Sequence, residues 1–207
     1  MIESQPVRVL IATQNAGKVR EFRRLLAQVP AMFVGLEELP RITAPDEDGS
    51  TFLANAITKA RYYSQHFGEI ALADDSGLVV DALDGAPGVH SARYGGDGLS
   101  DMDRLRLLLK NLEGVPKEHR TARFECAIAV ANPQCHGEFM HATGTVEGRI
   151  IFEPRGRNGF GYDPIFVPTG ETRTTAEMSA DEKDSLSHRA RAIEAIVPAL
   201  SGLIGDR

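Results

Sequence analysis

The chain has 207 residues, 42% of them hydrophobic and 25% charged, so it can bury an ordinary core as one or two domains. Its net charge of −6 argues against non-specific binding to nucleic acid or anionic membranes, although a local basic pocket could still take a small anion. No apolar run is long enough for a transmembrane helix, and the first residues do not have the form of a signal peptide, so we expect a cytoplasmic protein.

The first elements predicted are a strand and a helix. Residues 7–12 are apolar apart from Arg8 and rich in β-forming side chains, which indicates a buried strand. A polar segment follows, and apolar residues then recur at helical spacing from Val19 to Val29. A strand, a polar turn and a helix are typical of the start of a parallel α/β unit.

The polar turn is a candidate anion site. It consists of Thr13, Gln14, Asn15, Ala16, Gly17 and Lys18. Backbone N–H groups at a helix N-terminus carry partial positive charge, and Lys18 adds a full charge. The turn does not match a P-loop, because residue 12 is Ala and Val19 follows the lysine. From this segment alone, a capped turn with a solvated lysine is an equally good interpretation.

The rest of the chain continues this pattern. A second helix, capped at Ser50 or Thr51, should direct Asn55 and Lys59 the same way, because they are four residues apart. The remaining predicted elements are a helix capped at Ser100, strands over 122–131 and 145–152, and a last helix from near Leu186 with Pro198 near its C-terminal end. No linker marks a boundary, so we expect a single domain over residues 1–207.

Two acidic segments differ in what they indicate. Residues 46–48 are three carboxylates before a helix, and a solvated loop explains them adequately. Asp74 and Asp75 instead interrupt an apolar strand-like run, where an ionised carboxylate is costly unless it is paired or binds a metal. Neighbouring strand residues point to opposite faces, so only one of the two can face a given site. An Asx-turn is the alternative, but the apolar flanks favour function.

Two later segments have the chemistry for contacts to a planar ring. Phe160, Gly161, Tyr162 and Asp163 lie in a glycine-rich loop, where aromatic rings suit stacking, although packing over the core is the better interpretation of this loop alone. Lys183 and the run Ser187-His188-Arg189 place donors at the entrance to the last helix, against the helix dipole. Lysine and arginine donors favour a ligand carbonyl over an amino group, although a solvated helix start is the alternative.

Six blocks of residues resemble one protein family in their order along the chain. They are Thr13-x-Asn15-x-x-Lys18, Glu47-x-Gly49-x-Thr51-Phe52-x-x-Asn55-Ala56, Ala73-Asp74-Asp75-Ser76-Gly77-Leu78, Pro87-Gly88 with Ser91-Ala92-Arg93-Tyr94, Phe160-Gly161-Tyr162-Asp163-Pro164, and Ser187-His188-Arg189. Together they resemble the inosine triphosphatase family, also called the HAM1 or RdgB-like family, over essentially the whole chain. The resemblance implies an α/β fold with two lobes, a mixed sheet and a long central cleft, usually as a homodimer. It also implies Mg²⁺-dependent hydrolysis of ITP, dITP and XTP to the monophosphate and pyrophosphate.

The resemblance further implies roles for individual residues. Residues 13–18 would hold the triphosphate, and Ser76 would contact the substrate. Glu47 and Asp75 would bind the metal, with Asp75 also the proton acceptor. The base would be contacted by Phe160, Gly161, Tyr162 and Asp163, with Phe160 as the stacking ring, and its edge would be read by Lys183, His188 and Arg189.

Two other functions remain open from the sequence. One is a related pyrophosphatase that acts on a pyrimidine or modified nucleotide. The other is a regulatory module that binds a nucleotide without turnover. The acidic positions Glu47 and Asp75 argue against the second, because triphosphate binding alone is better served without carboxylates near the phosphates.

Overall fold

The predicted strand, turn and helix begin the chain in a computed structural model that describes residues 6–135 and 139–205. Strand β1 covers Arg8–Ile11, and helix α1 covers Ala16–Leu25. The later helices are α2 (Phe52–Phe67), α3 (Asp101–Asn111), α4 (Ala180–Asp184) and α5 (His188–Gly205). The later strands are β2 (Met32–Gly35), β3 (Ile70–Val80), β4 (Thr121–Ala131), β5 (Phe139–Ile150) and β6 (Phe166–Pro168).

The described strands form a six-stranded sheet in the order β2-β1-β3-β4-β5-β6. Strand β1 is parallel to both β2 and β3, whereas β5 and β6 are antiparallel. The expectation of an α/β fold with a mixed sheet is therefore confirmed.

The described residues divide into two compact units, and the first contains α1 and α2. Unit 1 lies within Met1–Asp75, Ala127–Thr143 and Arg191–Arg207. Its core is rich in alanine, and includes Ala56 and Ala60 of α2 together with Ala71 and Ala73 of β3. Because protein interiors are close-packed, these small side chains bring the backbone of α2 close to the sheet. Polar side chains of α2 can then reach β3.

Unit 2 contains α3 and α4 and lies within Ser76–Cys126 and Gly144–Ala190. Its core is built of larger side chains, with Leu105 and Leu108 of α3 packed among Phe124, Tyr162 and Phe166. No helix in the part of the chain described here is both long and apolar enough to cross a lipid bilayer.

Most helix starts agree with the sequence prediction. Thr51 caps α2 by accepting a hydrogen bond from the Ala54 amide, and Ser100 caps α3. The position predicted for Pro198 is wrong, because it lies inside α5 and the helix continues to Gly205. A proline removes one helical hydrogen bond, but Leu200 is buried beyond it and anchors the rest of the helix in the core.

Candidate functional site

The two aspartates of β3 have partners on different helices, as their alternation predicts. Asn55 donates from Nδ2 to Asp75 Oδ2 at 2.9 Å, and Lys59 Nζ lies 3.4 Å from Asp75 Oδ1. Both side chains belong to α2. The Asp74 carboxylate instead pairs with Lys18 of α1, at 3.0 Å between Oδ2 and Nζ. The strand thus directs one carboxylate to each helix.

The acidic loop before α2 is brought to the same place. Lys59 Nζ donates to Glu47 Oε2 at 2.7 Å, so one ammonium group bridges Glu47 and Asp75. Asn55 Oδ1 also accepts a hydrogen bond from the Gly49 amide at 2.8 Å. The loop is therefore fixed to α2 at two points. Lys59 holds it at Glu47, and Asn55 holds it at Gly49.

This donor set is suitable for a magnesium ion. Within residues 6–135 and 139–205, no group of three or more His, Cys, Asp or Glu side chains could hold a metal unaided. Mg²⁺, however, is usually bound by one or two carboxylates and takes its remaining oxygen ligands from water and phosphate. Glu47 and Asp75 already approach one cation, the Lys59 ammonium, from two sides. They fit a Mg²⁺ ion that is completed by phosphate and water.

Burial and charge shift the ionisation of this cluster. Burial raises the pKa of the Asp75 carboxyl above its usual value, against the opposing effects of Lys59, Lys18 and Asn55. A raised pKa makes a carboxylate a better proton acceptor. Burial lowers the pKa of Lys59, but Asp75, Asp74 and Glu47 outweigh it and raise the pKa above its usual value, so the ammonium stays charged.

The turn predicted to bind an anion lies at the start of α1, as expected, and two of its backbone amides already donate hydrogen bonds within the turn. Asn15 is the N-cap of α1, and its Oδ1 accepts hydrogen bonds from the amides of Gly17 and Lys18 at 2.8 and 3.1 Å. Thr13 Oγ1 in turn accepts from the Asn15 amide. Asparagine is a preferred cap because it satisfies these amides. The predicted phosphate contacts of residues 13–18 remain a prediction.

In unit 2, a buried carboxylate organises the predicted base-binding residues. Asp163 Oδ2 accepts hydrogen bonds from Lys183 Nζ at 2.5 Å and from the Phe160 amide at 2.9 Å. Asp163 Oδ1 accepts from the Thr175 hydroxyl at 2.8 Å. Lys183 Nζ then lies 4.9 Å from the centre of the Phe160 ring. Asp163 therefore positions a cation and an aromatic ring against each other.

Two neighbouring residues of this loop serve its attachment to the rest of unit 2. The Tyr162 ring is part of the core, and its hydroxyl donates to the Ser91 carbonyl oxygen at 3.0 Å. Burial raises the pKa of Tyr162 well above its usual value. The Gly161 amide donates to Asp101 Oδ2. Phe160, which is only partly buried, is thus the ring of this loop best placed for stacking.

Of the basic residues predicted at the last helix, Lys183 and Arg189 lie beside Phe160, whereas His188 lies on Phe124. Lys183 lies in α4, one helix earlier than predicted, and Arg189 is fully buried near the start of α5. Arg189 Nη2 donates to Ser76 Oγ at 2.9 Å, and its guanidinium lies 6.0 Å from the Phe160 ring centre. The His188 ring is stacked on Phe124 at 4.9 Å. Phe160, Lys183, Arg189 and Ser76 thus form one connected set.

Sequence reasoning gave no functional role to three residues that the structure places at these sites, Asn55, Lys59 and Thr175. Asn55 and Lys59 were predicted to share a helix face. Their position beside Ala56 and Ala60, which pack on the sheet, is the sequence pattern that could have indicated a functional role. Thr175 has no pattern around it that would have singled it out.

The chain is similar to known proteins over nearly its full length. The sequence profile of the Ham1 family matches residues 9–199. The dITP/XTP pyrophosphatase of Desulforamulus reducens is 46% identical over 197 residues, which are 95% of this chain and 97% of that protein. The HAM1 protein of Coxiella burnetii has a similar structure, with a TM-score of 0.83 and 41% identity over 95% of this chain and 99% of that one. The Ham1 protein of Staphylococcus aureus gives a TM-score of 0.82 and 38% identity over 94% and 98%.

Proposed function

The chain belongs to the Ham1 family, and from this premise we propose that it is a nucleoside triphosphate pyrophosphatase that converts ITP, dITP and XTP to the monophosphate and pyrophosphate. The observation that carries the proposal is the convergence of Glu47 and Asp75 on one cation, Lys59. Full-length relatives at about 45% identity carry the name dITP/XTP pyrophosphatase, which supports the same substrate class.

Asp75 is the proposed catalytic residue. A Mg²⁺ ion at Glu47 and Asp75 would supply positive charge against the phosphate oxygens. Asp75 accepts a proton from the water whose oxygen attacks the α-phosphorus, and Asn55 holds its carboxylate in place for this role. The bond from the α-phosphorus to the bridging oxygen breaks, and pyrophosphate leaves. Residues 13–18 hold the triphosphate, with the Lys18 charge offsetting the negative charge of the leaving group.

The proposed base site is the connected set in unit 2. Phe160 stacks on the purine, while Lys183 and Arg189 donate hydrogen bonds to its 6-oxo group. Adenine presents an amino group at that position, so donors would face a donor and remain unpaired, which disfavours ATP. Ser76 of this set contacts the substrate, and Gly161, Tyr162, Asp163 and His188 complete the base site, with Asp163 acting through Lys183.

Pyrophosphate release from ITP, XTP, GTP, ATP and a pyrimidine triphosphate, each with Mg²⁺ and with EDTA, tests the proposal. We expect release from only two of these nucleotides, ITP and XTP, and only in the presence of Mg²⁺. Turnover of ATP at a similar rate would support the proposed reaction but contradict the proposed recognition of the purine 6-oxo group. Turnover of the pyrimidine alone would change the substrate class. Binding of ITP without turnover would show a regulatory module instead.

We also propose that the protein is a homodimer in the cytoplasm and that Mg²⁺ is its natural metal. The support is the resemblance of the sequence blocks to the inosine triphosphatase family. Analytical ultracentrifugation should give twice the mass of the chain, and the mass of a single chain at micromolar concentration would contradict the dimer.

A further inference from the structure

We propose that the Lys59 ammonium group stands in for the divalent cation, compensating the charges of Glu47 and Asp75 until the metal binds. The inference rests on the metal site of the proposed function. It concerns what this chain does before metal and nucleotide arrive, so it can be tested without turnover.

The geometry places the ammonium between the two carboxylates. Lys59 Nζ lies 2.7 Å from Glu47 Oε2 and 3.4 Å from Asp75 Oδ1. The Lys59 side chain is only 9% exposed and that of Asp75 only 11%, so solvent screens this part of the bridge little. A cation that bound both oxygens would take the position that the ammonium now occupies.

The rest of the cluster is held independently of Lys59. Asn55 holds Asp75 Oδ2 through its amide nitrogen and the Gly49 amide through its oxygen, so it fixes both the strand and the acidic loop. Gly49 is suited to this contact, because a Cβ there would lie 2.6 Å from Asn55 Oδ1. Removing the Lys59 charge should therefore leave the two carboxylates close together with no ammonium between them.

This arrangement has an electrostatic consequence. The Lys59 charge and a divalent cation at the same carboxylates repel each other, and the ammonium must move before both oxygens can bind metal. Lys59 thus compensates the charge of the metal-free site but weakens its affinity for metal. Its removal should tighten metal binding while lowering the stability of the metal-free protein, since Glu47 and Asp75 then lose the positive charge of Lys59.

The test is Mg²⁺ binding to the full chain without nucleotide, measured by calorimetry for the wild type, Lys59→Met and Lys59→Arg. We expect the dissociation constant of Lys59→Met to fall on the order of tenfold, since a nearby positive charge has been removed. Lys59→Arg retains the charge and should stay near the wild type. Asp75→Asn added to Lys59→Met should abolish the gain, which locates the bound ion at this cluster.

Thermal melting gives a second readout on the same proteins. Without metal, Lys59→Met should melt below the wild type, and Mg²⁺ should raise its melting temperature by more than it raises that of the wild type. If Lys59→Met does not fold, Lys59→Gln tests the same loss of charge. Unchanged or weaker Mg²⁺ binding on loss of the charge overturns the inference, whether or not the wild type releases pyrophosphate. A tenfold gain in a protein that turns over no nucleotide would support the inference and overturn the proposed function.

Discussion

The Asp75 carboxylate is held at each oxygen by a different side chain of α2, Asn55 at Oδ2 and Lys59 at Oδ1. These contacts fix its position while burial raises its pKa. A carboxylate so held can accept a proton without having to reorient, which is the preorganisation that a general base requires.

Replacing Asp75 with asparagine tests this role at the level of one residue. The amide has nearly the same shape but neither accepts a proton nor contributes a charge to a metal. Asp75→Asn should therefore lower kcat for ITP by at least about 10²–10⁴-fold, while nucleotide affinity changes by less than about tenfold. Steady-state pyrophosphate release and equilibrium binding of ITP measure the two effects. Asp48→Asn, in the exposed part of the acidic loop, is the matched control. If Asp75→Asn kept a tenth or more of the wild-type turnover, Asp75 would not be the general base.

The sequence predicts the site at the residue scale only in part. Strand alternation predicts that Asp74 and Asp75 face different sides, but not which side meets α2, because that depends on how the helices pack. The same limit applies to Asn15. Its position predicts a helix start, but not that its own side chain accepts hydrogen bonds from the Gly17 and Lys18 amides.

At the scale of elements, three short turns and helices of unit 2 begin with the same device. Ser100 and Asp103, Thr174 and Glu177, and Ser179 and Glu182 form reciprocal capping boxes. In each pair the acidic side chain accepts a hydrogen bond from the backbone of the capping residue, and its pKa lies below the usual value. These boxes define where the elements around the base-binding residues start.

The box at α4 makes stability depend on pH. The Ser179 amide and Arg173 lower the pKa of Glu182 from 4.5 to about 2. Because the folded pKa is the lower one, the ionised carboxylate stabilises the folded protein fully above about pH 4.5, and this contribution is lost as the pH falls towards 2. Glu182→Gln should lower the melting temperature at pH 7 by a few degrees at most, with the difference shrinking below pH 4.5. Melting curves from pH 7 to pH 2.5 measure this, and Glu194→Gln, on an exposed part of α5, serves as control. A difference that grew on acidification would contradict the assignment.

Elements with a long periodic pattern were predicted well, and the shortest were not. Helices α2 and α3 and strand β4 have many apolar residues at regular spacing, and they start within one residue of the predicted positions. Strands β2 and β6 have four and three residues, too few for a period to be recognised. They exist because β1 and β5 offer them a paired edge, which is information from the tertiary structure.

At the scale of the whole molecule, every crossing between the two units lies inside a strand or a helix of the described residues. The chain passes from one unit to the other inside β3, between Asp75 and Ser76, and again within β4, β5 and α5. Composition and loop patterns mark a boundary only where a connecting segment is flexible or polar. A boundary within a buried strand has no such signal, so the sequence predicts one domain.

The proposed metal-binding residues belong to unit 1 and the proposed base-binding residues to unit 2, and this predicts how substitutions combine. Glu47 contacts Lys59 in unit 1, whereas Phe160 contacts Asp163, Lys183 and Arg189 in unit 2. Phe160→Ala should lower kcat/KM for ITP by about five- to 150-fold through loss of stacking, and Glu47→Gln should lower it through weaker metal binding.

Since the two residues have different contacts, their effects on the activation free energy should add to within about 0.5 kcal/mol, so the double variant should lose the product of the two factors to within about twofold. Initial rates at low ITP and one fixed, subsaturating Mg²⁺ concentration give all four values of the cycle. A double variant no worse than the poorer single variant would contradict this independence, because it would show that the metal site and the stacking ring act as one unit in the transition state.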